Sequence, residues 1–525
     1  MGQAVFPAGG GMFGKVVKVT MLSLLGVSLS GTAIAVGESL AQTSSAASMV
    51  TVQSLPLPSE AIRIELAQQL LELALADVHP AINQLWLALS KSRDPHEQSL
   101  LFAETFILLK QFRTQWHQLS LEDRERIQLK SIKFSSSPQL LQEYAQALQG
   151  GTLAQDVAQL QPAMGDYQAL RHQLSLLLDM AREGEWGELG TFVQHPGESH
   201  PQLPQVKQLL MRLKLSTEPL LADELYDPLT VAAVEQFQRL HGLNPDGVIG
   251  PRTLAWMRIT PAQKAVILAR SLLRGDVNDR LDQRRLVVVN IPEYQLRVLE
   301  GQQQIFSSRV IVGKLKRQTP ILASEIASIV LNPAWHVPTS ILTQDIVPKL
   351  ARDPQYLAKE RFDIYDYSGA KIDPSTIAWQ QALDAGFPYK LKQQPGDHNA
   401  LGRYKFYLPN DESIYLHSTA NPRLFKLDQR AMSSGCVRVE MAADFANLLL
   451  QGSSWTAEKV NKTLAAAETK WVRLTAPVPV FTVYWRSWLD DKGQLQFRDD
   501  IYGFDAKSQS SNSAVLNSVL QVRKS

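Results

Sequence analysis

The stretch RRLVVVNIPEYQLRVLEGQQQIFSSRVIVG, residues 284–313, marks a change in the pattern of the chain from helical to extended. It contains three segments rich in valine and isoleucine, LVVVNI, YQLRVLE and FSSRVIVG, which turn-forming residues separate. β-Branched residues favour strands, and short breaks between such runs are typical of consecutive antiparallel strands. The stretch therefore predicts a β-meander. Strand patterning continues in ASIVLNPAWHVP (327–338) and resumes in GRYKFYLPNDESIYLHST (402–419).

The chain before this stretch has helical periodicity. Between residues 59 and 195 several apolar stripes recur, for example at Ile62, Leu66, Leu70 and Leu73. Spacings of three and four residues place such side chains on one face of a helix. This region predicts a helical scaffold domain without chemistry of its own.

Residues 200–260 form a second helical unit in the sequence pattern. Val234 and Phe237 lie on one predicted helix face, Gly242 ends that helix, and Pro251 opens the next. The order of helices and the segment DGVIGPRTL resemble the small three-helix peptidoglycan-binding domain of cell-wall enzymes. This resemblance concerns the fold and does not establish that the unit binds glycan.

The N-terminus has the composition of an export signal. Lys15 and Lys18 precede an apolar run of 18 residues, and Ala33-Ile34-Ala35 fits a signal peptidase site. We expect residues 1–35 to be either a cleaved signal or a membrane anchor, followed by a flexible tether at 36–58. The predicted location is the periplasm or cell envelope, either free or anchored to the inner membrane.

The charge balance and the cysteine content narrow the function. The net charge of the 525 residues is +2, without the basic excess of a nucleic-acid-binding protein. Cys436 is the only cysteine, so a disulfide within the monomer is excluded, and structural zinc sites usually use several thiolates. Three interpretations remain: a small buried apolar residue, a reactive thiol, and a cysteine with an intermolecular partner. Export to an oxidising compartment favours the last two.

The neighbours of Cys436 fit thiol chemistry. His417 lies 19 residues earlier, at the end of a predicted strand in which Tyr415 shares its face. Gly435 allows close approach of the backbone, and the amides beside Cys436 could bind an oxyanion. Arg438 could keep the thiol region electropositive or bind a substrate carboxylate.

The pattern YLH…SSGCVRV resembles the L,D-transpeptidase catalytic domain of the YkuD type. Ser433, Gly435, Cys436 and Arg438 fit the Ser-x-Gly-Cys-x-Arg segment of that family. Two positions depart from its usual pattern, since serines stand at 434 and 418 where histidine and glycine are usual. Both departures, the order of domains and the insertion resemble the large YcbB-like branch.

The resemblance implies a mechanism and roles for particular residues. Cys436 would be the nucleophile that forms a thioester with a tetrapeptide stem and releases D-alanine, and His417 would hold and donate the proton. An amine of a second stem would then give a 3→3 cross-link. The carbonyl of Ser418 would orient His417, and the amide of Gly435 would bind the oxyanion. Candidate substrate-binding residues are Arg438, Tyr415, Trp335, Asn399 and Arg403.

We therefore expect a multidomain α+β protein with a mainly-β catalytic domain at 284–475. A helical lid is expected as an insertion at about 340–392, and C-terminal strands with a loose tail at 476–525. No cofactor or metal is expected. The implied partners are peptidoglycan stem peptides and glycan, and could include other wall-synthesis enzymes. Two alternatives stay open, a peptidoglycan-binding protein without activity and a cysteine-dependent wall peptidase.

Overall fold

The computed structural model describes residues 55–127, 131–275, 285–301, 303–506 and 513–521. The predicted export signal and all but the last four residues of the predicted tether lie outside these ranges. Among the described residues, no helix combines the length and hydropathy needed to cross a bilayer.

Residues 60–182 form a bundle of helices, as the apolar stripes predict. Leu66, Leu70 and Leu73 are almost completely buried in its core. Proline opens several of these helices, and Asp94 caps one by accepting a hydrogen bond from the amide of His96 at 3.0 Å. The helices are α1 (Glu60–Leu75), α2 (Pro80–Lys91), α3 (Pro95–Gln118), α4 (Leu121–Arg126), α5 (Pro138–Gly150), α6 (Leu153–Ala158) and α7 (Tyr167–Arg182).

The next unit contains the helices α8 (Leu203–Arg212), α9 (Pro228–Leu240) and α10 (Pro251–Arg258). Val234 and Phe237 are fully buried on α9, and Gly242 has a φ of +65° just after its end. A longer helix, α11 (Pro261–Gly275), follows and packs against α7 and α1 of the scaffold. The helical regions share one apolar core.

The β-rich region is a nine-stranded sheet with a small sheet and a hairpin beside it. The strands are β1 (Arg285–Asn290), β2 (Gln295–Glu300), β3 (Gln303–Gly313), β4 (Leu322–Leu331), β5 (Trp335–His336), β6 (Phe362–Tyr365), β7 (Lys371–Ile372), β8 (Lys390–Gln393), β9 (Tyr404–Tyr407), β10 (Leu416–His417), β11 (Ala431–Ser433), β12 (Val437–Val439), β13 (Lys470–Val483), β14 (Ser487–Leu489) and β15 (Leu495–Phe497).

The large sheet closes on itself. Its order is β11-β3-β12-β10-β9-β4-β13-β1-β2, and β2 also pairs with β3. The predicted meander is present, because β1, β2 and β3 pair antiparallel in sequence order. The apolar side chains of this sheet form a core of their own, on which α16 (Ala442–Leu449) and α17 (Ala457–Ala465), the helices after β12, pack.

The insertion is mixed rather than helical, which corrects our expectation for residues 340–392. Strands β5, β8, β6 and β7 form a four-stranded sheet, and short helices pack on it around a separate apolar core. The sheet starts at Trp335 and ends at Gln393, so the insertion is slightly longer than expected. Its helical segments are α12 (Thr339–Ile341), a π-helical turn (Leu342–Ile346), α13 (Val347–Leu350), α14 (Tyr356–Lys359) and α15 (Trp379–Asp384).

The C-terminal region differs from our expectation in its boundary. The boundary expected at 475 falls inside β13, which pairs with both β4 and β1 in the large sheet. The tail, for which we expect a loose chain or a short helix, contains a helix, α18 (Ser513–Gln521), which packs on the scaffold helices α2 and α7. There the indole of Trp86 donates a hydrogen bond to Ser518 Oγ at 2.9 Å.

Candidate active site

The cysteine turn, residues 433–436, connects β11 to β12. Ser433 Oγ donates a hydrogen bond to the carbonyl of Cys436 at 2.6 Å and accepts one from the amide of Gly435 at 3.2 Å. Gly435 has a φ of +118°, a conformation that side chains with a Cβ rarely adopt. The serine and the glycine of the motif therefore shape the turn that presents the thiol.

The register of the sheet brings His417 next to this turn. Strand β10 runs parallel to β12, with Leu416 opposite Val437 and His417 opposite Arg438. The amide of Val437, the residue after the cysteine, donates to the carbonyl of Tyr415 at 3.2 Å. The parallel pairing of β10 with β12 thus brings the end of the histidine strand next to the cysteine turn.

His417 is buried and electrically neutral at ordinary pH. The pKa of its imidazole is lowered to about 3, first because the ring is buried and then because the Arg438 guanidinium is near. The carbonyls of Ser418 and Leu401 oppose this shift, which places them beside the ring. In the described part of the chain, Nδ1 of His417 is buried without a hydrogen-bond partner.

The thiol of Cys436 is half-buried and lies 3.9 Å from the carbonyl oxygen of Ser413. Burial raises the pKa of this thiol. Tyr415 and the charges of Lys405 and Arg438 act in the opposite direction, so these groups surround the sulfur. A raised thiol pKa and a lowered imidazole pKa together describe a neutral thiol and a neutral imidazole at ordinary pH.

Aromatic side chains form one wall around the thiol. The ring of Tyr415 lies 5.7 Å from that of His417 between centroids. The pKa of the Tyr415 hydroxyl is raised, first by burial and then by the Cys436 thiol, whereas the side chain of Trp335 lowers it. Trp335 thus approaches the site from the first strand of the insertion.

Two positively charged side chains, Arg438 and Lys405, lie near the thiol of Cys436. Burial lowers the pKa of Arg438, and its Nε is buried without a hydrogen-bond partner among the described residues. The Nζ of Lys405 lies 3.9 Å from the ring centroid of Tyr415, and burial lowers its pKa while Cys436 raises it. In the described ranges neither cation forms an ion pair with a carboxylate, so both can bind an anion.

Sequence reasoning missed Lys405. Its only signal is the register, which pairs Lys405 with His417 across β9 and β10. A lysine in the run GRYKFY gives no indication of the residue opposite it, because that depends on strand pairing.

Two predicted substrate-binding residues are not part of this group. Asn399 is fully buried, and its amide group binds the carbonyl of Gln394 and the amide of Leu401. Its polar atoms therefore hold the loop that carries the Leu401 carbonyl to His417. Arg403 forms an ion pair with Asp397 at 2.8 Å and donates to the carbonyl of Leu464. In this structure both side chains fix loops, and neither is among the groups that surround the thiol.

The amide of Gly435, the expected oxyanion donor, has a partner of its own in this structure. The amide of Gly435 is directed at Ser433 Oγ, so it is not free for a substrate in this state. Ser418 is held in place, since its amide donates to the carbonyl of Tyr404 at 2.9 Å and its hydroxyl accepts from the Tyr404 amide at 3.0 Å. Within the described residues, no cluster of three or more potential metal ligands occurs.

Comparison with known proteins gives two family matches. The model for the YkuD family, described as "L,D-transpeptidase catalytic domain", matches residues 284–461. The model described as "Putative peptidoglycan binding domain" matches residues 199–257. The first match contains all the residues that surround the thiol, and the second contains α8, α9 and all of α10 except its last residue, Arg258.

One curated relative and two solved structures are similar in part. A protein of Haemophilus influenzae, "Putative L,D-transpeptidase", is 40% identical over 219 residues, which are 42% of this chain and 44% of that protein. The alignment thus spans less than half of the relative. The structure of an L,D-transpeptidase from Xylanimonas cellulosilytica is 15% identical, with a TM-score of 0.19, and covers 56% of this chain and 100% of that one. One from Stackebrandtia nassauensis is 13% identical, with a TM-score of 0.21, and covers 56% and 97%.

Those TM-scores are too low to add to the assignment, which depends on the family matches and the curated relative. The chain therefore combines a helical N-terminal region, a region that matches peptidoglycan-binding domains, and a β-rich region that matches the L,D-transpeptidase catalytic domain of the YkuD family.

Proposed function

We propose that the protein is an exported L,D-transpeptidase that forms 3→3 cross-links in peptidoglycan through a thioester on Cys436. The observation that carries this proposal is the single thiol in a glycine turn, placed by adjacent strands beside a buried, neutral histidine. This arrangement lies inside the region that matches the transpeptidase family. A nucleophile and its base on neighbouring strands are what acyl transfer requires.

Binding of the donor stem follows from the two cations. A tetrapeptide stem carries a carboxylate on its terminal D-alanine and can carry another on its diamino acid. Arg438 and Lys405 are oriented around the thiol and would hold such a carboxylate. Tyr415 and Trp335 would form the wall along the stem. Binding a carboxylate there also compensates two buried positive charges.

Acylation begins when the sulfur of Cys436 attacks the carbonyl carbon of the third residue of the stem. The S–C bond forms while the thiol proton passes to the imidazole of His417, whose neutral ring can accept it. The C–N bond then breaks, and His417 gives this proton to the leaving amine of D-alanine. The amide of Cys436 is a candidate oxyanion donor, since it donates to no backbone or side-chain acceptor among the described residues.

The thioester is resolved by an amine of a diamino acid on a neighbouring stem. The amine attacks the thioester carbonyl, its proton returns through His417 to the sulfur, and the free thiol is restored. One amide bond is exchanged for another through two acyl transfers. The reaction therefore needs no ATP, which suits an enzyme outside the cytoplasm.

A wall peptidase would use the same acyl-enzyme with water as acceptor. Papain-like peptidases orient the histidine with a side chain. Here the groups beside His417 are the carbonyls of Ser418 and Leu401, and no side-chain acceptor reaches its Nδ1 among the described residues. This observation favours transfer over hydrolysis.

The proposal is tested by incubating the purified protein with a disaccharide tetrapeptide and analysing the products by mass spectrometry. We expect release of D-alanine, a 3→3 dimer and a thioester adduct on Cys436, all absent in Cys436→Ala. A tripeptide without dimer would indicate a peptidase. If the folded protein shows neither turnover nor an adduct, the remaining interpretation is a peptidoglycan-binding protein without activity.

A further inference from the structure

A loop between β3 and β4, residues 314–319, holds the cysteine turn from outside. The amide of Lys314 donates to the carbonyl of Ser433 at 3.0 Å, and Thr319 Oγ1 donates to the carbonyl of Gly435 at 2.7 Å. Between them, Nη1 of Arg317 donates to Ser434 Oγ at 2.8 Å. Each of the three residues before the nucleophile is therefore held by one residue of this loop.

The loop itself is rigidly supported at its two ends. Thr319 Oγ1 also accepts a hydrogen bond from the amide of Gly313 at 2.8 Å, and the backbone of Arg317 folds tightly over Gly313. Tyr502 accepts from the amide of Thr319 at 3.0 Å and donates to the carbonyl of Gly313 at 2.7 Å. The contact that remains adjustable is the long side chain of Arg317.

Arg317 contacts the insertion with the same guanidinium group. Both of its terminal nitrogens approach the carboxylate of Asp345, with Nη2 at 3.3 Å from Oδ1 and Nη1 bonded to Oδ2. Nη2 also donates to Gln344 Oε1 at 2.5 Å. The side chain of Arg317 is only 17% exposed, so water screens this ion pair less than a surface pair.

The two acceptors on the insertion lie in the π-helical turn Leu342–Ile346. Such turns are uncommon and often occur at functional sites. Leu342 and Ile346 of this turn belong to the separate apolar core of the insertion, not to the core of the large sheet. Asp345 therefore belongs to the insertion, whereas Ser434 belongs to a turn between strands of the large sheet.

We propose that Arg317 is a positioning residue that couples the place of the insertion to the geometry of the Cys436 turn. When the insertion is docked, Asp345 fixes the guanidinium so that Nη1 holds Ser434. When it moves away, the guanidinium loses its charged partner and Ser434 loses a fixed donor. The thiol is thus held in its attacking position when the insertion covers the site. This inference rests on the proposed function in treating Cys436 as the nucleophile.

The test measures the rate at which iodoacetamide alkylates Cys436 in the full-length protein. Asp345→Asn removes the charge on the insertion, Ser434→Ala removes the acceptor on the turn, and their combination closes a double-mutant cycle. Coupled pairs give interaction energies that correspond to rate changes of about twofold or more. We expect such a coupling between Asp345 and Ser434, and we expect it to disappear when both changes are made in an Arg317→Ala background.

Asp353→Asn is the matched control. Asp353 forms an ion pair with Lys359 at 2.8 Å on the same insertion, but both side chains are largely exposed and lie away from Arg317. We expect this variant to alkylate at the rate of the unaltered protein. Thermal unfolding shows which variants are folded. If Arg317→Ala does not fold, Arg317→Lys, which keeps the charge but loses the two-pronged geometry, takes its place.

A second readout separates positioning from substrate binding. In the transpeptidation assay, Asp345→Asn is expected to lower kcat with little change in KM. Additive effects of Asp345 and Ser434, a coupling that persists without Arg317, or a change in KM alone would overturn the proposal. Coupled alkylation rates in a protein without transpeptidase activity would overturn the proposed function and leave the role of Arg317 intact.

Discussion

The environment of Cys436 favours uncharged partners at rest. Burial raises the pKa of the Cys436 thiol. Burial and the nearby charge of Arg438 together lower the pKa of the His417 imidazole to about 3. An imidazolium beside Arg438 would place two positive charges together in a buried site. In the proposed mechanism the proton would therefore pass to His417 during attack on a carbonyl, when the sulfur gives its charge to the substrate.

This state predicts the pH dependence of alkylation. A thiol with a raised pKa becomes a thiolate only above its ordinary range, so the alkylation rate should rise about tenfold per unit up to pH 9. Iodoacetamide labelling between pH 5 and 10, with Cys436→Ser as background, measures this profile. A plateau already reached at pH 6 to 7 would contradict the prediction, because it would show a thiolate–imidazolium pair at rest.

The glycine of the cysteine turn allows a second prediction. Gly435→Ala places a Cβ at a φ of +118° and 3.2 Å from Ile414 Cδ1. We expect a loss of about 1 to 3 kcal/mol in unfolding free energy, as for strained backbone, and a fall in acylation of Cys436. Gly184 is a matched control, since its φ is +140° and the space around its Cβ position is open. Gly184→Ala should lower stability without slowing acylation; equal acylation of both variants would refute the role of the turn.

At the scale of elements, the sequence pattern predicts those helices and strands that residues close in sequence determine. The meander of β1 to β3 follows from valine-rich runs, and α9 follows from its apolar face. The sheet of the insertion was missed because its strands are short and carry charges, as KLKQ in β8 shows. The place of Lys405 depends on strand register, and that of Asn399 depends on the burial of its loop. Neither feature can be read from the sequence alone, because both depend on contacts between distant residues.

Helix α11 carries a buried lysine that gives a third prediction. The side chain of Lys264 is 1% exposed, its Nζ lies 5.2 Å from the ring centroid of Phe237, and burial lowers its pKa to about 7. The unfolded chain keeps the ordinary pKa near 10.5. The cost of burying the charge is therefore complete below pH 7 and decreases as the pH rises from 7 to 10.5.

Lys264→Met should accordingly raise the urea midpoint, and more so at pH 6 than at pH 9.5. Lys207 is the contrasting residue, because it is equally buried but forms ion pairs with Asp223 at 2.5 Å and Asp227 at 3.0 Å. Lys207→Met should lower the midpoint, since it leaves two carboxylates without their cation. If both variants change stability in the same direction, the lack of a carboxylate partner for Lys264 among the described residues does not explain its effect.

For the whole molecule, the C-terminal region connects parts that are distant in sequence. Tyr502 supports the loop behind the cysteine turn, and α18 returns to the scaffold. Asp499 accepts hydrogen bonds from Arg252 at 2.9 Å and from the indole of Trp256 at 2.7 Å, both on the peptidoglycan-binding-like unit. A division of the chain at residue 476 would separate these contacts, because the last part packs on the scaffold, on the peptidoglycan-binding-like unit and on the large sheet.

The buried carboxylate of Asp505 is the centre of this arrangement. It forms ion pairs with Arg270 at 2.8 Å and Arg274 at 2.6 Å on α11, and with Arg486 at 2.9 Å after β13. The four side chains are at most 6% exposed. The three guanidinium groups hold the pKa of Asp505 well below its usual range. Its stabilising effect is therefore present above about pH 3.8 and is lost only at more acidic pH.

Asp505→Asn keeps the size of this side chain but leaves three guanidinium groups buried around a neutral amide. Removing one partner of a buried ion pair typically costs about 3 to 5 kcal/mol, so the variant should unfold at a much lower urea concentration at pH 7. Asp397→Asn is the control, because Asp397 pairs with Arg403 at 2.8 Å but is 89% exposed, and it should change stability by about 0.5 kcal/mol or less. Since Asp505 joins α11 to the end of the large sheet, its loss should also lower the unfolding temperature of both regions together. Separate transitions, or a loss no greater than that of Asp397→Asn, would show that the helical region and the sheet fold independently of this contact.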